Sequence, residues 1–254
     1  MAGIYHTFLY QPIFNALVFI YDVVPGHDIG IAIIILTVLI KLILYPFSLQ
    51  SIRSQRAMQS LQPKLEELKR KYKDDKEKLS LEMMELYKRE KVNPFSSCLP
   101  ILIQFPFLIA VYQVFRSGLG GGSLDLLYPF VQNPGSINPV SLGLVDLAKP
   151  QIVLAVLAGA AQFWQSKMLM VQKPPKTADG KVLPGAKDEN TMAIMNKQMV
   201  YMMPLITVVI GASLPGGLTL YWFVTTLLMA LQQLYFFRKS KKQEELPVVI
   251  DSPK

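Results

Sequence analysis

Apolar residues in this chain are concentrated in five long stretches that are separated by polar segments. A helix that crosses a bilayer needs about 20 mostly apolar residues, because the hydrocarbon layer is about 30 Å thick and each helical residue rises about 1.5 Å. The five stretches approach this length, and they run from Ile29 to Leu49, Cys98 to Phe115, Gln151 to Met170, Met199 to Leu214 and Leu218 to Phe237. The pattern predicts an all-α, polytopic membrane protein with five spanning helices, the last two joined in a tight hairpin at Pro215, Gly216 and Gly217.

The segment 51–93 has a different pattern, in which apolar residues recur every three or four positions between charged residues. These apolar positions are Leu61, Leu65, Leu68, Tyr72, Leu79, Met83 and Leu86. Heptad-like spacing of this kind predicts helices that pack along an apolar stripe. Asp74 and Asp75 interrupt the series and suit the start of a second helix, so we expect an antiparallel helical hairpin. A solvated coiled coil and a docking element would both have this pattern.

The first 28 residues combine aromatic side chains with polar groups and end at Pro25 and Gly26. This composition is typical of an amphipathic helix at a membrane interface, and we expect residues 1–28 to form such a segment on the outer face. A signal peptide is the alternative interpretation. It is disfavoured because a basic n-region and a small-residue cleavage site are both missing.

Positive charge is distributed unevenly along the chain, which has a formal net charge of +8. Residues 51–93 hold 12 Lys and Arg, residues 167–199 hold 6 and the tail from Arg238 holds 5, whereas residues 1–28 hold none. Basic loops remain cytoplasmic, so the counts predict an outside N-terminus and a cytoplasmic C-terminus, in agreement with an odd number of crossings. We therefore expect a first spanning helix at 29–50, a cytoplasmic hairpin at 51–93, four further spans with their loops at 94–237 and a basic cytoplasmic tail at 238–254.

Two other segments have the composition of connections. Residues 172–190 are rich in Pro, Gly and charge, which predicts a flexible loop. The sequence GLGGGS at 118–123 lacks the strand and helix that flank a phosphate-binding loop, so we interpret it as a flexible turn.

The usual residues of metal and redox chemistry are scarce. Cys98 is the single cysteine, and His6 and His27 are the two histidines. An intrachain disulfide and a cysteine-based zinc site are thereby excluded, and no metal, cofactor or catalytic residue is expected.

Lys41 lies within the first apolar stretch, 12 residues after Ile29. A charge near the centre of a spanning helix costs about 2.5 to 3.5 kcal/mol on insertion scales. One interpretation is that its long side chain reaches the inner interface, since it precedes Pro46 by only five residues. The other is a wet polar cavity between helices, to which other stretches contribute polar side chains: Gln104, Gln162, Gln165, Thr219, Tyr221, Trp222, Thr225, Gln232 and Gln233. Each of these could instead only bond a neighbouring helix.

The five stretches contain no Asp or Glu, so Lys41 has no acidic partner within them. Ion-coupled pumps and carriers commonly use intramembrane carboxylates, and their absence disfavours that class. A cation that faces water would instead attract negative charge on a passing substrate.

Three long motifs resemble the YidC insertase family, which includes the Oxa proteins of mitochondria and the Alb proteins of chloroplasts. They are YPFSLQSIRSQRAMQSLQPKLEELKRKY at 45–72, VNPFSSCLPILIQFPFLIAVYQVF at 92–115 and GGLTLYWFVTTLLMALQQ at 216–233. The resemblance covers about residues 10–240 and is to a short bacterial form without the large periplasmic domain of some members. In SSC at 96–98, the chain departs from the GGC pattern common in relatives.

The resemblance implies five core helices around a hydrophilic groove that is open to the cytoplasm and the inner leaflet. It also implies a positive residue in the first core helix, which is often arginine in the family and corresponds to Lys41 here. Lysine keeps the charge but lacks the planar, bidentate fork of arginine. The expected groove residues are Lys41, Gln104, Gln162, Gln165, Thr219, Tyr221 and Trp222.

The function implied is a membrane protein insertase and chaperone in the bacterial plasma (inner) membrane, not an enzyme, and without nucleotide hydrolysis. Expected partners are nascent membrane proteins with short acidic translocated tails, the ribosome and targeting machinery, and the lipid bilayer, with a Sec-type translocon as a further candidate. Sequence-specific nucleic-acid binding is not expected. A small channel or transporter, and a scaffold for assembly of other membrane subunits, are the alternatives that share the same polar interior.

Overall fold

The fold is mostly helical in the residues that the computed structural model describes, namely 5–93, 99–115, 124–169 and 186–244. Within these ranges there are eight α-helices: α1 (Gln11–Val23), α2 (Ile29–Ile43), α3 (Tyr45–Lys71), α4 (Lys76–Arg89), α5 (Leu99–Gln113), α6 (Ile152–Leu169), α7 (Ala186–Gly211) and α8 (Gly216–Glu244). Two short antiparallel strands, β1 (Val140–Ser141) and β2 (Val145–Asp146), form a hairpin before α6. A π-helical turn at His6–Tyr10 leads into α1.

The first predicted span does not continue as one straight helix to Leu49. α2 ends at Ile43, and α3 begins at Tyr45 after a bend of 68°. Pro46 explains the break, because proline has no N–H to donate to the carbonyl four residues earlier and its ring clashes with that carbonyl. The residues after the bend therefore belong to the helix that forms the first arm of the charged hairpin.

The charged segment folds back on itself at residues 72–75. Asp75 caps α4 by accepting a hydrogen bond from the Lys78 N–H at 3.0 Å. Leu61 and Leu65 on α3 pack with Leu86 on α4 in a small apolar cluster. The helix that forms the first arm begins at Tyr45, directly after the bend, and runs across residue 51, the predicted boundary between the first span and the hairpin.

Two helices extend beyond the apolar stretches that predicted them. α7 begins at Ala186, inside the segment predicted as a loop, and α8 continues to Glu244, inside the predicted basic tail. Backbone hydrogen bonds within a helix do not require apolar side chains, so a helix can continue into water where an apolar stretch ends. The turn predicted at 118–123, and residues 172–185 of the predicted loop, lie outside the described residues.

One helix in the described part of the chain is long and apolar enough to cross a bilayer, over Gly216–Arg238 of α8. The bent pair α2 and α3 passes the same criterion only when taken together, and Val200–Gly211 of α7 is a shorter apolar helix. The five spanning helices therefore remain a prediction.

The main apolar core lies between α1, α2, α5 and the start of α8. Its fully buried members include Phe14, Ile33, Val114 and Leu218. The segment predicted to be interfacial contains α1, and one face of this helix is packed into the core. The loop that contains β1 and β2 covers the same end of the core, because the carbonyls of Leu147 and Lys149 accept hydrogen bonds from the first residues of α8.

Candidate functional site

Lys41 lies in the last turn of α2, where the apolar core ends. Ile33, Leu36 and Ile40, on the preceding turns, are buried in that core. The Lys41 Nζ donates a hydrogen bond to Gln104 Oε1 on α5 at 3.2 Å. Gln104 Nε2 donates in turn to the hydroxyl of Tyr221 on α8, which is 1% exposed. We call Lys41, Gln104 and Tyr221 the polar cluster, and it joins three helices that are distant in sequence.

The ammonium of Lys41 is held by neutral groups in this cluster. Its partner among the described residues is an amide oxygen and not a carboxylate. An ammonium has three donors, so this hydrogen bond leaves two of them for water or for a negatively charged group. The hydrogen bond to Gln104 therefore places no negative charge against the ammonium.

The cluster is closed on the side where α2 begins. A cavity of about 10 Å³ lies there, lined by apolar side chains of α1, α2 and α5 together with Tyr221. A cavity of this size is at the lower limit for one water and offers few polar partners, so it is dry. A second cavity, of about 380 Å³, lies in the hairpin between α3 and α4 and does not reach Lys41.

A second set of polar contacts continues from the cluster towards the C-terminal end of α8. Ser48 Oγ donates to Gln232 Oε1 at 2.7 Å, and Gln233 Nε2 donates to Gln55 Oε1 at 3.2 Å. Further along, Arg56 Nη1 donates to the Phe237 carbonyl at 3.5 Å. We call these three contacts the polar seam between α3 and α8.

Hydrogen-bonding capacity within the polar seam is incompletely used. Gln233 is fully buried, and within the described part of the chain its Oε1 and the Gln232 Nε2 have no hydrogen-bond partner. A buried polar atom without a partner costs about 1 to 3 kcal/mol. The seam can therefore gain hydrogen bonds from water or from a polar segment placed between the helices.

The structure brings together three of the seven predicted groove residues, Lys41, Gln104 and Tyr221. Thr219 is fully buried, and its hydroxyl donates to the Gly211 carbonyl at 3.0 Å, so it holds the turn between α7 and α8. Gln162 and Gln165 lie on α6, which packs against α7 and α8, and Trp222 is half-buried. No hydrogen bond among the described residues joins these last three side chains to the cluster.

Sequence reasoning did not assign Ser48, Gln55 or Arg56 to the site. All three lie beyond Pro46: Ser48 is at the end of the predicted first span, and Gln55 and Arg56 are in the segment whose charge predicted a hairpin. Ser48 and Gln55 are seven residues apart and therefore share one face of α3, which is the signal that could have identified them. In the described ranges, no group of three or more His, Cys, Asp or Glu side chains is placed to hold a metal ion.

Comparison with known proteins places the chain in a family. The sequence model of the 60Kd inner membrane protein family matches residues 19–244. This match, together with the long apolar helix α8, identifies a multi-pass inner-membrane protein of the helical class. The chain belongs to the 60Kd inner membrane protein family.

Relatives in this family are identical to the chain at about a third of the aligned positions. A membrane protein insertase YidC of Fusobacterium nucleatum is 34% identical over 235 residues, which are 92% of this chain and 98% of that protein. One of Clostridium tetani is 36% identical over 219 residues, 86% of each chain. One of Methylobacillus flagellatus is 37% identical over 238 residues, but these are only 37% of that longer protein.

A solved structure shares the fold. The structure described as "Active YidC insertase crystal structure with the first transmembrane domain resolved" matches with a TM-score of 0.58 and 24% sequence identity. The match covers 89% of this chain and 46% of the solved chain, so this chain spans less than half of that structure.

Proposed function

We propose that the chain is a membrane protein insertase that uses the polar cluster to move a short hydrophilic segment of a client across the membrane. The observation that carries the proposal is the Lys41 ammonium, which lies between helices and is bonded to the neutral side chain of Gln104. Family membership supports it, since relatives named membrane protein insertase align along almost the whole chain. Such a protein converts no substrate chemically and is not an enzyme.

Insertion requires a source of free energy, and partitioning of the client supplies it. Each central Leu, Ile, Phe or Val of a client helix gains about 0.3 to 0.6 kcal/mol on entering the bilayer. The membrane potential adds about 2.3 kcal/mol per charge per 100 mV for a suitably charged segment. The protein lowers the barrier to insertion in two ways. Lys41 attracts acidic residues of the client tail, and the polar groove shortens the apolar path that the tail must cross.

The proposed topology has five spans, with the N-terminus outside and the basic tail in the cytoplasm. It rests on the alternating Lys and Arg counts and on the apolar stretches. The apolar core and the dry cavity would then lie on the outer side of Lys41, and the polar seam on the cytoplasmic side. The resulting groove is closed outward and opens to the cytoplasm when α3 and α8 separate along the seam.

The client helix would leave sideways into lipid. Along α6 and α7, exposed apolar side chains such as Val153, Val156, Leu205 and Val209 form a surface suited to hydrocarbon. Gln162, Gln165 and Trp222 are the further groove candidates on this side, on α6 and α8. The hairpin of α3 and α4 and the basic tail would receive the chain from the ribosome or targeting machinery, and a Sec-type translocon is a further candidate partner.

Reconstitution of the purified chain in liposomes tests the proposal. The client is a single-span protein with a short acidic tail, and insertion is measured as protection of the tail from added protease. We expect protection to rise well above that in liposomes without the chain. Background-level insertion would contradict insertase activity and favour a scaffold, whereas solute flux without any client would favour a channel.

A further inference from the structure

Two leucines are exposed at the tip of the hairpin formed by β1 and β2. Leu142 is 71% exposed and Leu144 is 85% exposed, with Gly143 between them. The flanking strands pair Ser141 with Val145, so the tip is a tight turn. We call residues 142–144 the leucine tip. No other part of the described chain covers these leucine side chains.

The conformation of the leucine tip is strained and is fixed by a buried carboxylate. Leu142 has φ of +51°, a left-handed conformation that is unfavourable for a residue other than glycine. Its N–H donates to Asp28, and the Ser141 hydroxyl donates to the same carboxylate at 2.7 Å. Asp28 also caps α2 by accepting from the Ile31 N–H at 3.0 Å. The tip is therefore locked to the first turn of α2.

A glycine is needed for this close approach. A Cβ at Gly30 would collide with the side chain of Ser141. The hairpin thus lies directly against the beginning of α2, and the leucine tip is held at the level where that apolar helix starts.

The leucine tip also lies at the level where α8 begins. Just after the hairpin, the carbonyls of Leu147 and Lys149 accept hydrogen bonds from the N–H groups of Gly217 and Gly216, both at 2.9 Å. α8 is the helix long and apolar enough to cross a bilayer. Two apolar helices therefore begin at the height of the tip.

The surroundings of the leucine tip suit lipid. Residues 126–145 contain no Asp, Glu, Lys or Arg. α6 follows within a few residues and begins with Ile152 and Val153, which are 69% and 71% exposed. The apolar surface of the tip is thus close in the chain to the exposed apolar surface of a predicted spanning helix.

We propose that the leucine tip inserts into the interfacial layer of the leaflet at the end of the molecule where α2 and α8 begin, and that its partner is the lipid bilayer. Two leucines and a glycine offer far less area than the about 800 Å² per partner that a stable protein interface needs. They also lack the Trp, Tyr and Arg that dominate protein interfaces. Residues 126–145 around the leucines carry no charge, and exposed apolar side chains gain free energy when they are buried at the boundary between headgroups and acyl chains.

A fluorescence quenching experiment tests the inserted position. With Cys98 replaced by Ser, a cysteine is introduced as Leu144→Cys, labelled with an environment-sensitive probe and reconstituted in phosphatidylcholine vesicles. Leu39→Cys, on the exposed face of α2, is the lipid reference, and Ser80→Cys, exposed on the charged hairpin, is the water reference. Brominated phosphatidylcholine reports contact with lipid, and iodide, present on both sides of the vesicle membrane, reports contact with water.

We expect brominated lipid to quench the probe at 144 at least about twofold more than the probe at 80, and iodide to show the opposite order. Iodide quenching at 144 equal to that at 80 would overturn the proposal. Protection from iodide that disappears when the protein is diluted with lipid would identify a second copy of the chain as the partner, and would overturn it as well. If Leu144→Cys does not yield folded protein, Leu142→Cys, at the other side of the tip, provides the same readout.

Discussion

Lys41 is a cation whose surroundings neutralise it only weakly. Gln104 is a dipole, and it is itself oriented by Tyr221, so the position of the ammonium depends on a side chain of α5 and one of α8. A carboxylate in the place of Gln104 would form an ion pair and remove the available charge. In the proposed mechanism, the neutrality of Gln104 leaves the charge of Lys41 able to attract a client.

Asp28 is the residue whose ionisation matters at the other end of α2. Burial raises the pKa of this carboxyl, but hydrogen bonds from the N–H of Leu142 and Ile31 and from the Ser141 hydroxyl lower it more, and the net effect is a lowered pKa. The pKa of Asp in an unfolded chain is about 3.9. The stability contributed by Asp28 is therefore fully present above about pH 4 and is lost as pH falls through the lowered pKa.

Asp28→Asn should reduce the stability of the protein at neutral pH. The variant should also lose less stability than the wild type when the pH is lowered. The variant removes charge-assisted hydrogen bonds, each of which contributes about 1.5 to 3 kcal/mol. Thermal unfolding in detergent from pH 7 to pH 3 measures the difference between the wild type and the variant. That difference should narrow below about pH 4, whereas a constant difference across this range would contradict the assigned role of the carboxylate.

At the residue scale, the sequence marks Lys41 as a candidate site residue but gives no such signal for Asp28. A lysine in an apolar stretch is conspicuous because its cost in lipid is large. Asp28 looks like an ordinary helix cap, since its other partners, Ser141 and Leu142, lie more than 110 residues away in a loop. Contacts of this range depend on the complete fold and leave no local pattern.

α8 passes close to the end of α5 at Gly217. A Cβ at Gly217 would collide with the ring of Phe115, which follows α5. This contact holds the first turn of α8 close to the core and thereby sets the position of Tyr221, one turn later.

Gly217→Ala should destabilise the protein by about 1 to 3 kcal/mol, the usual cost of overpacking. The sign of the change in the free energy of unfolding is informative, because Ala within a helix is otherwise favoured over Gly by up to about 1 kcal/mol. Chemical or thermal unfolding of Gly217→Ala, Phe115→Leu and the double variant forms a double-mutant cycle. If Gly217→Ala is stabilising, or if the two changes are simply additive, the close contact is not as described.

The bend after α2 has a functional consequence at the element scale. It directs α3 away from the line of α2 and brings Ser48 and Gln55 against α8. In the proposed mechanism, the polar seam must part before a client tail reaches Lys41.

Cross-linking Ser48→Cys to Gln232→Cys, in a Cys98→Ser background, should therefore slow insertion. The long glutamine side chain spans this gap, so a short reducible bis-thiol reagent is more suitable than a direct disulfide, which requires closely spaced backbones. Insertion into liposomes is compared before cross-linking, after it and after reduction. Each single-cysteine variant treated with the same reagent is the control.

The outcome of this experiment distinguishes opening of the polar seam from insertase activity as a whole. Insertion that is lost on cross-linking and recovered on reduction supports opening of the seam. Unchanged insertion in the cross-linked protein would contradict the opening of the seam, while leaving insertase activity established in the same assay.

For the whole molecule, hydropathy and charge predicted the helical class and the charged hairpin, and the motifs predicted the family. The helix ends were less predictable, as α7 and α8 continue beyond their apolar stretches and α2 bends at Leu44. Hydropathy identifies where lipid is favourable, but helix ends depend on caps, prolines and packing. The number of spans and the orientation of the termini remain predictions.

The candidate site was likewise only partly predictable from the sequence. The polar residues in the apolar stretches were visible as a set, but their partners were not. Thr219 and Tyr221 are two positions apart on α8 and looked equivalent, yet one hydroxyl bonds the turn to α7 and the other faces Gln104. A difference of two residues rotates a side chain to the other side of a helix, and only the packing decides which side faces the cluster.

The central claim is that the charge of Lys41 attracts negative charge on the client. The most direct measurement is the insertion rate in proteoliposomes for an acidic-tailed client and for the same client with a neutral tail, using wild type, Lys41→Arg, Lys41→Gln and Lys41→Glu. We predict that the acidic tail is favoured by about five- to tenfold with Lys or Arg, a difference of about 1 to 1.4 kcal/mol. This preference should vanish with Gln and reverse with Glu. Full insertion of the acidic-tailed client by Lys41→Glu would contradict the account.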